Sequence, residues 1–204
     1  MDIRRILLNQ MDLQDEQLDG QMRTEIEYSL YARIDDFEVL NEAVSKTRIE
    51  QATFYTEDKG KGSIVPRSRK VVDMDVTNTA GEQTAGEVHY ILTFKTQETR
   101  ETAQPVRAEI DTAGSEDIHA LFMRKCAKPL VKDRFYFPAK NDLVWNVDVF
   151  IKEDGSYSQW ARVEIEVPDK NVPMPAFPFS VSDWFMADNQ ERRDQLKEAG
   201  EIFQ

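Results

Sequence analysis

TEIEYSLYAR, residues 24–33, sets Glu25 and Glu27 two positions apart, with Ile26, Tyr28, Leu30 and Ala32 in the alternate places. In a β-strand, residues i and i+2 share a face, so both carboxylates point one way and an apolar stripe points the other. ARVEIEV, residues 161–167, repeats the arrangement with Glu164 and Glu166 between Val163, Ile165 and Val167. Two strands of this kind could supply hard oxygen ligands to a divalent cation. They could equally be two ordinary strands with one wet face.

The flanking chain limits the options. A length of 204 residues suits one domain with a modest extension, and 40% hydrophobic with 31% charged residues is ordinary for a soluble globular protein. A net charge of −12 argues against general affinity for DNA or an anionic membrane. No apolar run reaches the roughly 18 residues of a spanning helix, and the N-terminus is too short in apolar core for a secretory signal. Cys126 is the only cysteine, which excludes an internal disulfide and a thiolate metal cage. A cytoplasmic protein is expected.

Residues 1–22 place Ile3, Leu7 and Met11 on one helical stripe and read as an N-terminal helical extension to a domain spanning 23–204. Residues 35–44 read as a short helix capped by Asp35 or Asp36. Strands are expected over 50–56, 63–77 (broken near Pro66), 87–95, 105–111, 129–138, 142–151 and 158–167. A helix over 114–122, capped by Ser115, would bury Ile118, Leu121 and Phe122. Residues 168–178 are proline-rich and irregular, and 187–200 form a polar helix that Gly200 stops. GKGS at 60–63 lacks the spacing of a phosphate loop and reads as a turn. His89 and His119 are too far apart to make a histidine metal site.

Alternation separates charge from apolar surface on strand after strand. Arg67 pairs with Arg69, Lys132 with Arg134, and Arg107 with Glu109 and Asp111, while Asn146 and Asp148 oppose Trp145, Val147 and Val149. One reading is a sheet with a solvated face. The other is a closed or strongly curved sheet whose charged faces converge on a channel. Same-sign pairs such as Glu25/Glu27 and Lys132/Arg134 repel unless a ligand or metal compensates them, which favours the channel. Carboxylates suit Mg²⁺ or Mn²⁺, and Arg and Lys grip phosphate, so such a channel suits a metal-bound triphosphate.

In this order the segments EIEYS (25–29), PRSRK (66–70), LTFK (92–95), VRAEID (106–111), VKDRFYF (131–137), VWNVDVF (144–150) and VEIEV (163–167) resemble the CYTH superfamily, the triphosphate tunnel metalloenzymes. The resemblance spans roughly residues 24 to 185. It implies an α+β fold: an antiparallel closed β-barrel of about eight strands forming a tunnel, with helices packed outside. It implies activities such as inorganic, thiamine or RNA triphosphatase, or class IV adenylyl cyclase. Position by position, it makes Glu25, Glu27, Asp148, Glu164 and Glu166 ligands of Mg²⁺ or Mn²⁺. Arg67, Arg69, Lys95 and Arg134 match residues that grip the triphosphate, with Arg107 a weaker match. Glu27, Arg134 and Lys132 are the expected catalytic residues. The family's opening E-x-E-x-K has Ser29 here in place of lysine, which leaves Arg33 or Lys132 as substitutes, or leaves a non-catalytic binder of nucleotides or polyphosphate. The His-Phe pair of the cyclase branch is absent, which disfavours that activity. A third reading is an interaction module with solvated charged faces. The particular triphosphate, the oligomeric state and the role of 1–22 are not legible in the sequence.

Overall fold

The computed structural model describes residues 23–53, 64–74, 86–96, 106–126 and 129–202, with backbone alone at 23–25, 64, 95–96 and 106–109. The helix expected in 1–22 and the GKGS turn lie outside the described residues. Among the described residues, nine strands form one antiparallel sheet: β1 (Arg23–Arg33), β2 (Ser45–Thr53), β3 (Ile64–Asp73), β4 (Val88–Thr96), β5 (Val106–Ala113), β6 (Leu130–Pro138), β7 (Val144–Ile151), β8 (Tyr157–Glu166) and β9 (Trp184–Met186). Their order is β5-β4-β3-β2-β6-β7-β8-β1-β9, and β5 pairs with β1 as well. With β8 on one side of β1, its other edge is shared: β5 takes 23–26 and β9 takes 30–32. Among the described residues, two α-helices, α1 (Glu116–Lys125) and α2 (Gln190–Glu198), join the sheet in an α+β fold.

Local chemistry accounts for most boundaries. Asp36 caps Phe37–Glu42, but that segment is 3-10 rather than the expected α-helix. Its six residues are too few for α-helical hydrogen bonds to offset nucleation. The expected break at Pro66 is absent, and β3 runs through it. Pro66 stands opposite Phe94 of β4, and described pairing of β3 with β2 ends at Arg67. Gly200 stops the last helix with φ +71, a left-handed geometry suited to glycine.

The main core lies on the apolar face of β1, β6, β7 and β8, around Leu30, Phe135, Trp145, Val147, Val163 and Ile165. Helices were expected to cover this surface. Instead Met174 and Phe177 of the proline-rich segment pack on it, with Phe179 and Val181 just beyond and Phe37 and Val39 from the 3-10 turn. Prolines lack an N–H and fix φ, which lets a chain cross a sheet face without joining its ladder. Trp145 is fully buried, stacks on Phe177 at 5.7 Å and donates its indole N–H to the Ala176 carbonyl at 3.1 Å. Tyr28 likewise donates to the Val172 carbonyl at 2.8 Å. Trp145→Phe keeps the ring contact but strands the Ala176 carbonyl. The expected loss is about 1–3 kcal/mol in urea unfolding.

α1 turns its other side to the sheet. Ile118 and Leu121 are exposed, and the buried residue is His119, whose Nδ1 lies 3.0 Å from the Ser68 hydroxyl. Burial lowers the His119 pKa, so the neutral imidazole fits this contact. Its ring sits 5.8 Å from Tyr90.

Asp133 is a fully buried carboxylate on the apolar side of β6. Arg48 reaches it through Nε at 2.8 Å and Nη2 at 3.1 Å, Lys46 through Nζ at 3.0 Å, and the Tyr157 hydroxyl donates to it. Burial pushes its pKa up, but these donors outweigh that and hold it below the ordinary value. A depressed folded pKa contributes stability above the unfolded value, about 3.9, that is lost as pH falls through the folded one. The unfolding midpoint should therefore drop more steeply below about pH 4 in the native protein than in Asp133→Asn. Parallel acid limbs would refute this.

Candidate functional site

The charged positions of β6, β7, β8 and β1 occupy the face opposite the main core. Register aligns them across the sheet: Tyr31, Arg162, Asp148, Arg134 and Thr47 stand in one row. Ser29, Glu164, Asn146 and Tyr136 form the row beside it. Asp148 is fully buried and is gripped by Lys132 and by Arg134, whose Nε and Nη2 lie 2.6 and 2.9 Å from its two oxygens. Arg134 also approaches Glu164 at 3.7 Å. Arg162 pairs with Glu164 at 2.6 Å and donates through Nε to the Ser29 hydroxyl at 3.2 Å, which itself donates to Glu164 at 3.2 Å.

Acids and bases are thus interleaved in a nearly dry place. Burial works to raise the pKa of Asp148, but Arg134 and Lys132 outweigh it and hold the group well below the usual carboxylate range. The same contest, won by Arg162 with help from Arg134 and Lys132, depresses Glu164. Burial opposes the charge on Arg134 and Arg162, yet their carboxylate partners raise both pKa values. Lys132 goes the other way: burial, with Arg134 beside it, outweighs Asp148 and pulls the ammonium down to about 7.

The other expected residues fall around this network. Glu27 is buried on β1, directly across from Glu166, which is exposed. On β3, Arg69 bonds Thr93 at 2.7 Å and Asp111 at 2.9 Å, with Thr93 donating to Asp111 at 2.5 Å, and Arg67 stands opposite Thr93. Backbone pairing sets Glu25 against Arg107 and Lys95 against Glu109; the side chains of Glu25, Lys95 and Arg107 lie outside the described ones. Among the described residues, no three carboxylate, imidazole or thiol groups converge into a ready metal cage. Arg33 pairs with Asp35 at 3.1 Å, next to Trp160 in register and away from the network. Arg162 and Asp111 carry parts of the site that the E-x-E and R-x-R pairs did not single out. The signal for Arg162 was present: it sits two residues before Glu164, on the same strand face.

An apolar cluster ends the charged face on one side. Tyr31, Leu130, Phe150 and Trp160 continue the charged positions of their strands and pack with Phe185 and Ile202. Arg192 lies over Phe185 at 4.4 Å and over Trp160 at 5.5 Å. No helix among the described residues is long and apolar enough to cross a membrane.

Solved structures similar to this chain include an inorganic triphosphatase. That structure, of NE1496, is 16% identical, covering 90% of this chain and 99% of that one with a TM-score of 0.45. HpAC1 from Hippeastrum, described as a putative adenylyl cyclase with a dominant triphosphatase activity, is 12% identical over 86% of this chain and 85% of that one (TM-score 0.46). PH1819 from Pyrococcus horikoshii OT3 is 21% identical over 71% and 80%, with a TM-score of 0.48. No protein-family model and no curated protein matches the chain. Likenesses this distant carry no weight for the chemistry, which rests on register and side-chain contacts.

Proposed function

We propose that this protein is a metal-dependent hydrolase of a triphosphate, whether nucleoside, inorganic or organic, bound inside a charged β-tunnel. The observation that carries the reading is the buried, interleaved network of Lys132, Arg134, Asp148, Arg162 and Glu164 on the face away from the main core. A cluster this well paired and this poorly solvated is expensive as mere surface, because each ion loses water. The β1–β5 pairing supports closure of the sheet around it.

The donor chemistry fits a hard divalent cation: Glu27 faces Glu166, and Glu164 follows two register positions on, on the same face. Glu25, Glu27, Glu164 and Glu166 would hold Mg²⁺ or Mn²⁺, with Asp148 a fifth acid that also anchors Lys132 and Arg134. Bound metal would neutralise phosphate charge and position water. Arg67, Arg69, Lys95, Arg107 and Arg134 would fix the phosphate chain. Arg134 and Lys132 would also stabilise charge on the transferred phosphoryl group, and Glu27 would orient the attacking water. The water oxygen bonds to the terminal phosphorus as the bridging P–O bond breaks. The bridging oxygen departs with the diphosphate, and the released proton passes to solvent.

Phosphate release from a panel of triphosphates, with Mg²⁺ or Mn²⁺ and with EDTA, tests the reading. Metal-dependent turnover of at least one is expected. A second reading, a non-catalytic nucleotide or polyphosphate binder, is favoured by Ser29, whose hydroxyl offers no positive charge and is engaged by Arg162 and Glu164. Calorimetric binding without turnover across the whole panel would select it.

A further inference from the structure

We infer that Arg162 is a phosphate-gripping residue of this site and that Glu164 competes with phosphate for it. The inference rests on the triphosphate reading above and concerns which side chains hold the ligand's charge. Arg162 stands in the same register row as Asp148 and Arg134, so three strands carry it and its neighbours on one face. Its side chain is 13% exposed, comparable with Arg134 at 17% and Glu164 at 14%, which places all three in one poorly solvated cluster. Glu164 lies between the two arginines, 2.6 Å from Arg162 and 3.7 Å from Arg134.

A guanidinium offers five N–H donors in a fixed fork that matches carboxylate and phosphate alike. The carboxylate of Glu164 therefore presents the same chemistry to Arg162 as a terminal phosphate would. Position 29 sharpens the point. Ser29 is the residue beside the guanidinium, and its short side chain accepts from Nε rather than supplying a charge of its own. A lysine there would bring a second cation against Arg162. With serine, the cation at this point of the face comes from β8. An arginine stays protonated under all ordinary conditions, so Arg162 binds and neutralises charge and does not act as a base.

Calorimetry of inorganic tripolyphosphate into the full chain tests this, once with Mg²⁺ and once with EDTA. With Mg²⁺, Arg162→Gln should weaken binding about tenfold or more, and Arg162→Lys, which keeps the charge without the fork, by about threefold. With EDTA, Glu164→Gln should tighten binding by about threefold or more, because the competing carboxylate is gone. That gain should vanish in Glu164→Gln/Arg162→Gln, a coupling that a purely structural Arg162 does not produce. Thermal melting identifies any variant that fails to fold, and Arg162→Lys retains a partner for Glu164. Native protein that binds while Arg162→Gln binds equally well would overturn the assignment to Arg162. Native protein that binds tripolyphosphate in neither condition would instead overturn the triphosphate reading itself.

Discussion

Arg134→Ala is expected to lower metal-dependent phosphate release by about 10²–10³-fold, chiefly in kcat. Two of its nitrogens grip the oxygens of buried Asp148, so the fork is locked before any ligand arrives. Such preorganised charge acts most strongly where water is scarce and where negative charge grows during the reaction. Arg134→Lys should recover part of the rate, since a point charge replaces the charge and not the geometry. Glu27→Gln should fall by a similar factor, with substrate affinity less affected. Full activity in purified, folded Arg134→Ala and Glu27→Gln would remove both residues from the proposed machinery.

Asp148→Ala should cost about 3–5 kcal/mol of folding stability, a large share of what a domain of this size possesses. The side chain is fully buried and faces two cations, with Lys132 itself 5% exposed. Removing the carboxylate leaves both without their shared counter-ion in a poorly solvated place. Asp148→Asn keeps the shape and one acceptor, so it should fall between. Guanidinium unfolding measures both, and an Asp148→Ala loss under about 1 kcal/mol would show that the network relaxes freely.

The alternation of charged and apolar residues made the architecture legible, because a period of two assigns each side chain to a face. Lys132, Arg134, Asp148 and Glu164 share the face that alternation assigned to them. Register was not legible: only the folded sheet shows that Arg162 stands beside Ser29 and across from Asp148. The choice of cover was hidden as well. Apolar spacing in α1 favoured Ile118 and Leu121, but the surface beneath offers the Ser68 hydroxyl, which His119 satisfies. Residues 168–178 carried no periodic signal at all, yet Phe177 stacks on the most deeply buried tryptophan. Asp133 shows a similar limit, a carboxylate on the apolar side whose donors come from β2 and β8.

The partnership of β1 with β8 has a consequence for synthesis on the ribosome. Ser29 and Glu164 are 135 residues apart in the chain. At roughly 5–20 residues per second, β1 emerges about 7 to 27 seconds before its long partner exists. Throughout that interval Tyr28 and Leu30 stand on the stretch of β1 whose partners in the sheet, β8 and β9, do not yet exist, the condition that invites chaperones or aggregation. Slow translation should therefore reduce the soluble yield of this chain, and a circular permutant that begins at β6 should be less sensitive to it.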